Sequence, residues 1–395
     1  MKKCYMSMAL VVLFSFMMAV DTQAVLRFVS TTGDDTGNSC TNGSSPCRTI
    51  QYAVDQWEDG DILMVAQGHY KENISRSWSY TVNKTFYFYI LGGWSADFSS
   101  LSTDPSKTVI DGSAAGTVLN IGSSSQKIDI TIKYFTFTNG DAINGGGVKV
   151  DNVGAQMKVT LINNIITGNN AQSGAGFYAR TPSGKTVIAL TNNMITDNNA
   201  NAQGGGIYAE AGWYFQNEMT LINNTIAGNW GDSNGGGISI YSHRGGLMTL
   251  RLVNGVIWGN GTNSTWGSGD DIYYWEDDTF ADSSTTIDAW YSDIGDISTP
   301  PLYSGSYNDK GGNISKNPKF FNAGRGNYHI RSKSPAIDTG WCGTLNQDWT
   351  YTRVAPYDDF EGDSRPGDGA ILGCDMGADE YVARRALPWL LLLDY

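Results

Sequence analysis

Val159-Thr-Leu-Ile-Asn-Asn-Ile-Ile-Thr-Gly-Asn169 returns as Ile188-Ala-Leu-Thr-Asn-Asn-Met-Ile-Thr-Asp-Asn198, then as Met219 to Asn229 and Leu250 to Asn260. The shared leucine stands at Leu161, Leu190, Leu221 and Leu252, so the spacings are 29, 31 and 31 residues. A glycine cluster keeps step: Gly145-Gly146-Gly147, Gly174-Ala175-Gly176, Gly204-Gly205-Gly206 and Gly235-Gly236-Gly237. Four copies at one period mark a solenoid, because each unit has an apolar face that it cannot bury by itself.

Within each copy the apolar residues alternate as they do along strands. Val148-Lys-Val, Phe177-Tyr-Ala, Ile207-Tyr-Ala and Ile238-Ser-Ile follow the glycines. In the second strand Val159, Ile188, Met219 and Leu250 share a face with the leucines, and Ile166, Ile195, Ile226 and Ile257 supply the third. Three strands per coil, stacked about 4.8 Å apart, build one aliphatic core. Asn163, Asn192, Asn223 and Asn254 are expected to stack as a ladder at one corner, bonding to backbone and to one another. Glycine permits the positive φ that another corner needs. No Lys-Ser/Thr or helix follows the glycines, so they are not phosphate loops.

Working outward, Thr49 to Trp57 carries apolar residues at Ile50, Ala53, Val54 and Trp57, the stripe of an amphipathic helix suited to cap the first coil. Weaker coils run from Asp61 to Asn139. The expected fold is all-β: a right-handed parallel β-helix over residues 25–300 with an N-terminal capping helix, followed by a C-terminal capping or anchor region over 301–382. Residues 1–24 have the basic start, apolar run and small-residue end of a signal peptide (Lys2-Lys3, Met8 to Val20, Thr22-Gln23-Ala24). The tail 383–395 contains Ala386 to Leu393, eight residues where a bilayer span needs about 20. It reads equally as a degenerate sorting segment or as an apolar tail packed on the protein.

These residues resemble known families. The 145–260 repeats are similar to polymorphic outer membrane protein repeats, as in Ile166-Thr-Gly-Asn169 before Gly174-Ala-Gly-Phe177, with isoleucine where that family has phenylalanine. The broader likeness is to pectate-lyase-like β-helices. Asn317-Pro-Lys-Phe-Phe321, Tyr328-His-Ile330, Ser334 to Gly340, Asp363-Ser-Arg365 and Asp375-Met-Gly-Ala-Asp-Glu-Tyr381 resemble the choice-of-anchor Q region of bacterial surface β-helix proteins. The resemblance implies an extracellular or outer-membrane surface location and no settled activity.

The formal charge is −13 over 395 residues. Without basic clusters, this balance argues against nucleic acid and anionic membranes as partners. Extracellular polysaccharide or a neighbouring cell surface is the expected partner. No transmembrane helix is expected in the mature chain, which is read as a monomer. Apart from Cys4, the cysteines form two local pairs, Cys40 with Cys47 and Cys342 with Cys374, read as disulfides in an exported chain. Neither CxxC spacing nor neighbouring histidines favours metal there.

The outward residues of the first strand are the candidates for chemistry. Asp151, Arg180 and Glu210 lie on successive coils and offer either a calcium-and-base constellation, as the resemblance to pectate lyases implies, or a ladder of paired charges. The motifs shared by polygalacturonase-like hydrolases are missing except for Asp-Asp. Asp270-Asp271 and Asp277-Asp278 supply carboxylates but also suit a solvated loop beside Trp266 and Trp275. For binding, Tyr178, Tyr208 and Tyr241, with Trp213 and Trp230 in flanking loops, offer aromatic surfaces for sugars, or else bury against those loops. No cofactor is required and no metal site is assigned. Calcium is admitted at Asp34-Asp35, at Asp270-Asp271, or at Asp358-Asp359 near Glu361 and Asp363. The leading expectation is a non-catalytic secreted or surface adhesin or polysaccharide-binding protein. A polysaccharide lyase or glycoside hydrolase on the first-strand face is the alternative, and a structural envelope spacer is a third.

Overall fold

The computed structural model describes residues 24–79, 84–212, 214–263, 271–277, 283–299, 305–345, 351–366 and 372–382. The signal-peptide reading and the apolar tail lie outside these residues, as do Trp213, Trp266, Asp270 and Asp278.

The alternating apolar segments form a parallel β-helix. The first sheet climbs through Ile74–Trp78, Leu119–Ser123, residues 148–152 and 177–181, Ile207–Gly212, Ile238–His243 and Ile272–Glu276. The second runs from Leu26–Val29 through Ile62–Ala66, Thr85–Trp94 and Lys127–Lys133 to Gln216–Ile222, Leu247–Val253, Ser284–Trp290 and Ser306–Asp309. The third sheet contains Ile165–Thr167, Met194–Thr196, Thr225–Ala227 and Val256–Trp258 among its eight described strands. A fourth ladder adds to the three expected from the sequence: Asp141–Asn144, Asn170–Ser173, Asn199–Gln203, Trp230–Gly231 and Gly261–Thr262 pair just before the glycines. These segments are short and polar, with alanines such as Ala171 and Ala200 turned inward, so alternation is hard to see in them.

In-register pairing puts like on like. Leu161 pairs with Leu190, Leu190 with Leu221 and Leu221 with Leu252, all essentially without exposure. Each such leucine adds roughly 1.5–3 kcal/mol through burial. Two columns explain the glycine cluster. Gly145, Gly174, Gly204 and Gly235 take φ of 68°, 62°, 62° and 58°, which strains residues with a Cβ. At Gly147, Gly176 and Gly206 a Cβ would lie 2.6 Å from a carbonyl oxygen of the next coil.

Asn163, Asn192, Asn223 and Asn254 turn the corner between the second and third sheets with φ of 53–55°, a region that asparagine tolerates. Their side chains point outward. Asn192 Nδ2 reaches Asn163 Oδ1 at 3.3 Å and Asn254 Nδ2 reaches Asn223 Oδ1 at 3.1 Å. The remaining bonds go to the C-terminal segment: Asn163 to Asp359 O, Asn192 to Asp358 O, Asn223 to Asp375 O, and Asn254 to Trp341 O.

Two further asparagine columns point inward and form continuous ladders. In the first, Asn164 Nδ2 donates to Asn193 Oδ1 and Asn193 Nδ2 to Asn224 Oδ1. In the second, Asn169, Asn198, Asn229 and Asn260 each donate to the next, and Asn260 donates to Asp271. Each oxygen also accepts a backbone N–H from the coil before: Asn169 N donates to Asn198 Oδ1, while at the first rungs Phe135 N donates to Asn164 Oδ1 and Gly140 N to Asn169 Oδ1. These side chains satisfy corner amides that no strand can reach.

The N-terminal end is closed as the sequence suggests. A helix, Ile50–Asp55, begins at Thr49, whose hydroxyl accepts Tyr52 N–H, and buries Ile50, Ala53 and Val54 against the first coils. Cys40–Cys47 is a disulfide beside it, and Cys342–Cys374 is another in the C-terminal region. The pair suits an oxidising compartment. No helix among the described residues is long and apolar enough to cross a membrane.

The C-terminal region folds back along the flank of the coil. Among the described residues it contains three antiparallel pairs, Phe320–Asn322 with Asn327–Ile330, Gly340–Trp341 with Leu372–Cys374, and Gly343–Leu345 with Tyr351–Arg353. Tyr328, Phe360 and Ala378 pack on Met194 and Ala227, and Ile330, Ala336 and Met376 on Val256. Arg365 is the tie. Fully buried, it pairs with Glu380 at 2.6 Å and donates to Asp375 O, Gly377 O, Ala378 O and Asn192 Oδ1. The Asp363-Ser-Arg365 and Asp375 to Tyr381 motifs are therefore the fastening of this strap to the asparagine corner.

Candidate functional site

Strand alternation on the first sheet sends Val148, Val150, Phe177, Ala179, Ile207 and Ala209 into the core and their neighbours outward. Register then aligns two outward rows. One is Lys149, Tyr178, Tyr208, Ser239 and Tyr273, and the other is Asp151, Arg180, Glu210, Tyr241 and Trp275.

The charges in the second row are engaged locally. Arg180 Nε lies 3.3 Å from Glu210 Oε1, Tyr208 OH donates to Glu210 Oε2 at 3.0 Å, and His243 Nε2 lies 3.8 Å from Glu210 Oε1. Asp151 pairs with Lys149 at 3.8 Å, while its other oxygen is buried without a hydrogen-bond partner. Asp151, Arg180 and Glu210 thus lie in one row, but as two separate ion pairs.

The aromatics differ from an open sugar platform. Tyr178 and Tyr208 stack at 5.4 Å and 13°, with only 4% and 9% of their surface exposed. The expected open surface is corrected here: stacking along the coil axis turns each ring face toward its neighbour and leaves edges to solvent. Burial and the Glu210 carboxylate push both phenols up, so both stay protonated. In the other row Tyr241 forms a separate stack with Trp275 at 3.9 Å and His243 at 4.9 Å, and all three are half-buried. Trp230 lies on the fourth sheet, 39% exposed, with Nε1 on Asp232, and so is not part of this face.

His243, Tyr273 and Trp275 belong to the face and were missed from the sequence. The regular 31-residue step from Tyr241 leads to residue 272, whereas its register partner is Trp275, because the next coil is longer. Aligning Ile238-Ser-Ile-Tyr with Ile272-Tyr-Tyr-Trp would have found it.

Among the described residues, several of the carboxylates named for calcium are used by the fold. Asp35 accepts from Arg48 N, Thr49 N and Thr49 Oγ1, and Asp359 Oδ1 accepts from the N–H groups of Glu361, Gly362 and Asp363. Asp271 is the foot of an asparagine ladder, pushed up to about 6 chiefly by burial. Nearby Asp293 is pushed up to about 7, again by burial first. Among the described residues, His329, Glu361 and Asp379 form a group whose ligand atoms lie within 4.8 Å of one another.

No family model and no curated sequence matches the chain. By structure it is similar to the crystal structure of pectate lyase Pel9A, at 13% identity and a TM-score of 0.34, with 92% of this chain and 97% of that chain covered. The class is a parallel β-helix on the strength of its own strand ladders, and no activity follows from the likeness.

Proposed function

We propose that the protein is a non-catalytic, exported β-helix that binds extended polysaccharide along its first-strand face. The observation that supports this best is the in-register row Asp151, Arg180, Glu210, Tyr241 and Trp275, which presents charged and aromatic edges at one coil spacing. Such a line suits hydrogen bonding to a chain of hydroxyls laid along the coil. The pairing of Arg180 with Glu210, and of Glu210 with Tyr208, argues against Arg180 as a poised base: its charge stabilises a neighbouring side chain instead of standing open to substrate.

The test is binding to a glycan array by the mature protein and by Arg180→Ala and Trp275→Ala variants. Arg180 is exposed and Trp275 half-buried, so these substitutions leave the core intact. Binding reduced tenfold or more in both variants is expected. Binding unchanged in both sinks the assignment to this face, and no binding to any glycan favours the spacer.

A further inference from the structure

The C-terminal strap brings His329, Glu361 and Asp379 together from three separate segments. His329 lies on Asn327–Ile330, Glu361 follows the turn that Asp359 caps, and Asp379 stands in the segment after Leu372–Cys374. His329 Nε2 lies 3.0 Å from Glu361 Oε2 and 3.9 Å from Asp379 Oδ1.

The orientation of the ring is fixed. Asn327 Oδ1 accepts the backbone N–H of His329 at 3.2 Å, which identifies that atom as the amide oxygen, and His329 Nδ1 lies 2.9 Å from it. Nδ1 therefore carries a proton, and Nε2 faces two carboxylate oxygens, with Glu361 Oε2 at hydrogen-bond distance. In the imidazolium a proton on Nε2 fills that gap, and in the neutral ring a metal ion takes the proton's place between the same three atoms. Asp379 is also held, since its other oxygen accepts Ile330 N–H at 2.8 Å. An imidazole anchored through its far nitrogen and a carboxylate anchored through its far oxygen are the supports that metal ligands usually have.

We propose that His329 Nε2, Glu361 and Asp379 bind a divalent transition metal of the zinc type, with water in the open position. Two ligands about 2.1 Å from a tetrahedral ion lie about 3.4 Å apart. The observed 3.0 and 3.9 Å separations bracket that value and all three ligand atoms lie within 4.8 Å of one another, so side-chain movements of about an ångström complete the site. One imidazole with two carboxylates suits zinc, nickel or copper better than calcium, which takes six to eight oxygens. His329 and Glu361 are 38% and 42% exposed at their side chains, so metal has a path in. The ion would join the three segments that lie over the third sheet, fastening the strap from outside as Arg365 fastens it from within.

The experiment is isothermal titration of the full mature chain with zinc chloride, after chelator treatment and desalting, with melting followed in parallel. One equivalent at micromolar affinity is expected, with a rise in melting temperature. Glu361→Gln and His329→Ala should each weaken binding tenfold or more while retaining the apo melting temperature within a few degrees. Absence of saturable binding up to 100-fold molar excess overturns the proposal. So does zinc binding that neither variant weakens, which would place the ion elsewhere. Should His329→Ala fail to fold, the exposed Glu361→Gln decides alone.

Discussion

Replacing Asn198 by alanine removes one rung of an inner ladder, and the structure sets the cost. Asn198 Oδ1 accepts two donors, the backbone N–H of Asn169 at 3.1 Å and its Nδ2 at 2.9 Å. Asn198 Nδ2 donates to Ile166 O and to Asn229 Oδ1, both at 2.9 Å. Both asparagines are at most 1% exposed, so water cannot replace the lost partners. Asn169 N–H is left buried without an acceptor at about 1–3 kcal/mol, while Asn169 Nδ2 keeps Phe137 O and Thr167 O, so the expected cost is about 2–3 kcal/mol. Asn199, the next residue, is exposed, and its alanine variant should stay within about 0.5 kcal/mol of wild type. Urea unfolding followed by far-UV circular dichroism measures both. A cost below about 1 kcal/mol for Asn198→Ala would show that the ladder contributes nothing to stability.

Other consequences are as direct. Asp293 and Asp271 have folded-state values raised to about 7 and about 6 from 3.8, so the fold favours their protonated forms; the resulting stability is complete below about pH 4 and lost as pH rises through 7. Asp293→Asn keeps the acceptor for Lys316 N–H and should flatten the fall in melting temperature between pH 5 and 8, and a slope equal to wild type would count against a buried acid there. Arg365→Ala strands the Glu380 carboxylate and should cost about 3–5 kcal/mol, read as protease cleavage within the strap before the coil; simultaneous loss of both would argue that the two form one cooperative unit. Breaking Cys342–Cys374, which closes a loop of 32 residues, should cost roughly 3–4 kcal/mol in the same proteolysis assay, and no change in cleavage would mean that packing alone holds the loop.

The repeat was legible because coil stacking demands like residues at like positions, and Leu161, Leu190, Leu221 and Leu252 meet that demand without exception. The capping helix was legible from the four apolar residues Ile50, Ala53, Val54 and Trp57. What escaped was direction. Asparagines at 163 and 164 are neighbours in sequence, yet one takes φ of 55° and faces the strap while the other turns inward, and composition does not distinguish them. The strap motifs were legible as motifs, but their purpose depends on Asp375 and Arg365 meeting Asn223 and Asn192, contacts 152 and 173 residues apart. On the first-strand face, register placed Arg180 beside Glu210, while the stacking that buries Tyr178 and Tyr208 arose from ring planes that no spacing encodes.

Non-catalytic binding is decided by incubating the mature protein with a polysaccharide panel and following retention on each glycan together with the release of new reducing ends. Retention of at least one extended polysaccharide with no new ends is the predicted result. New ends would make the protein an enzyme: with ultraviolet absorbance from an unsaturated product they would mark a lyase, and without it a hydrolase.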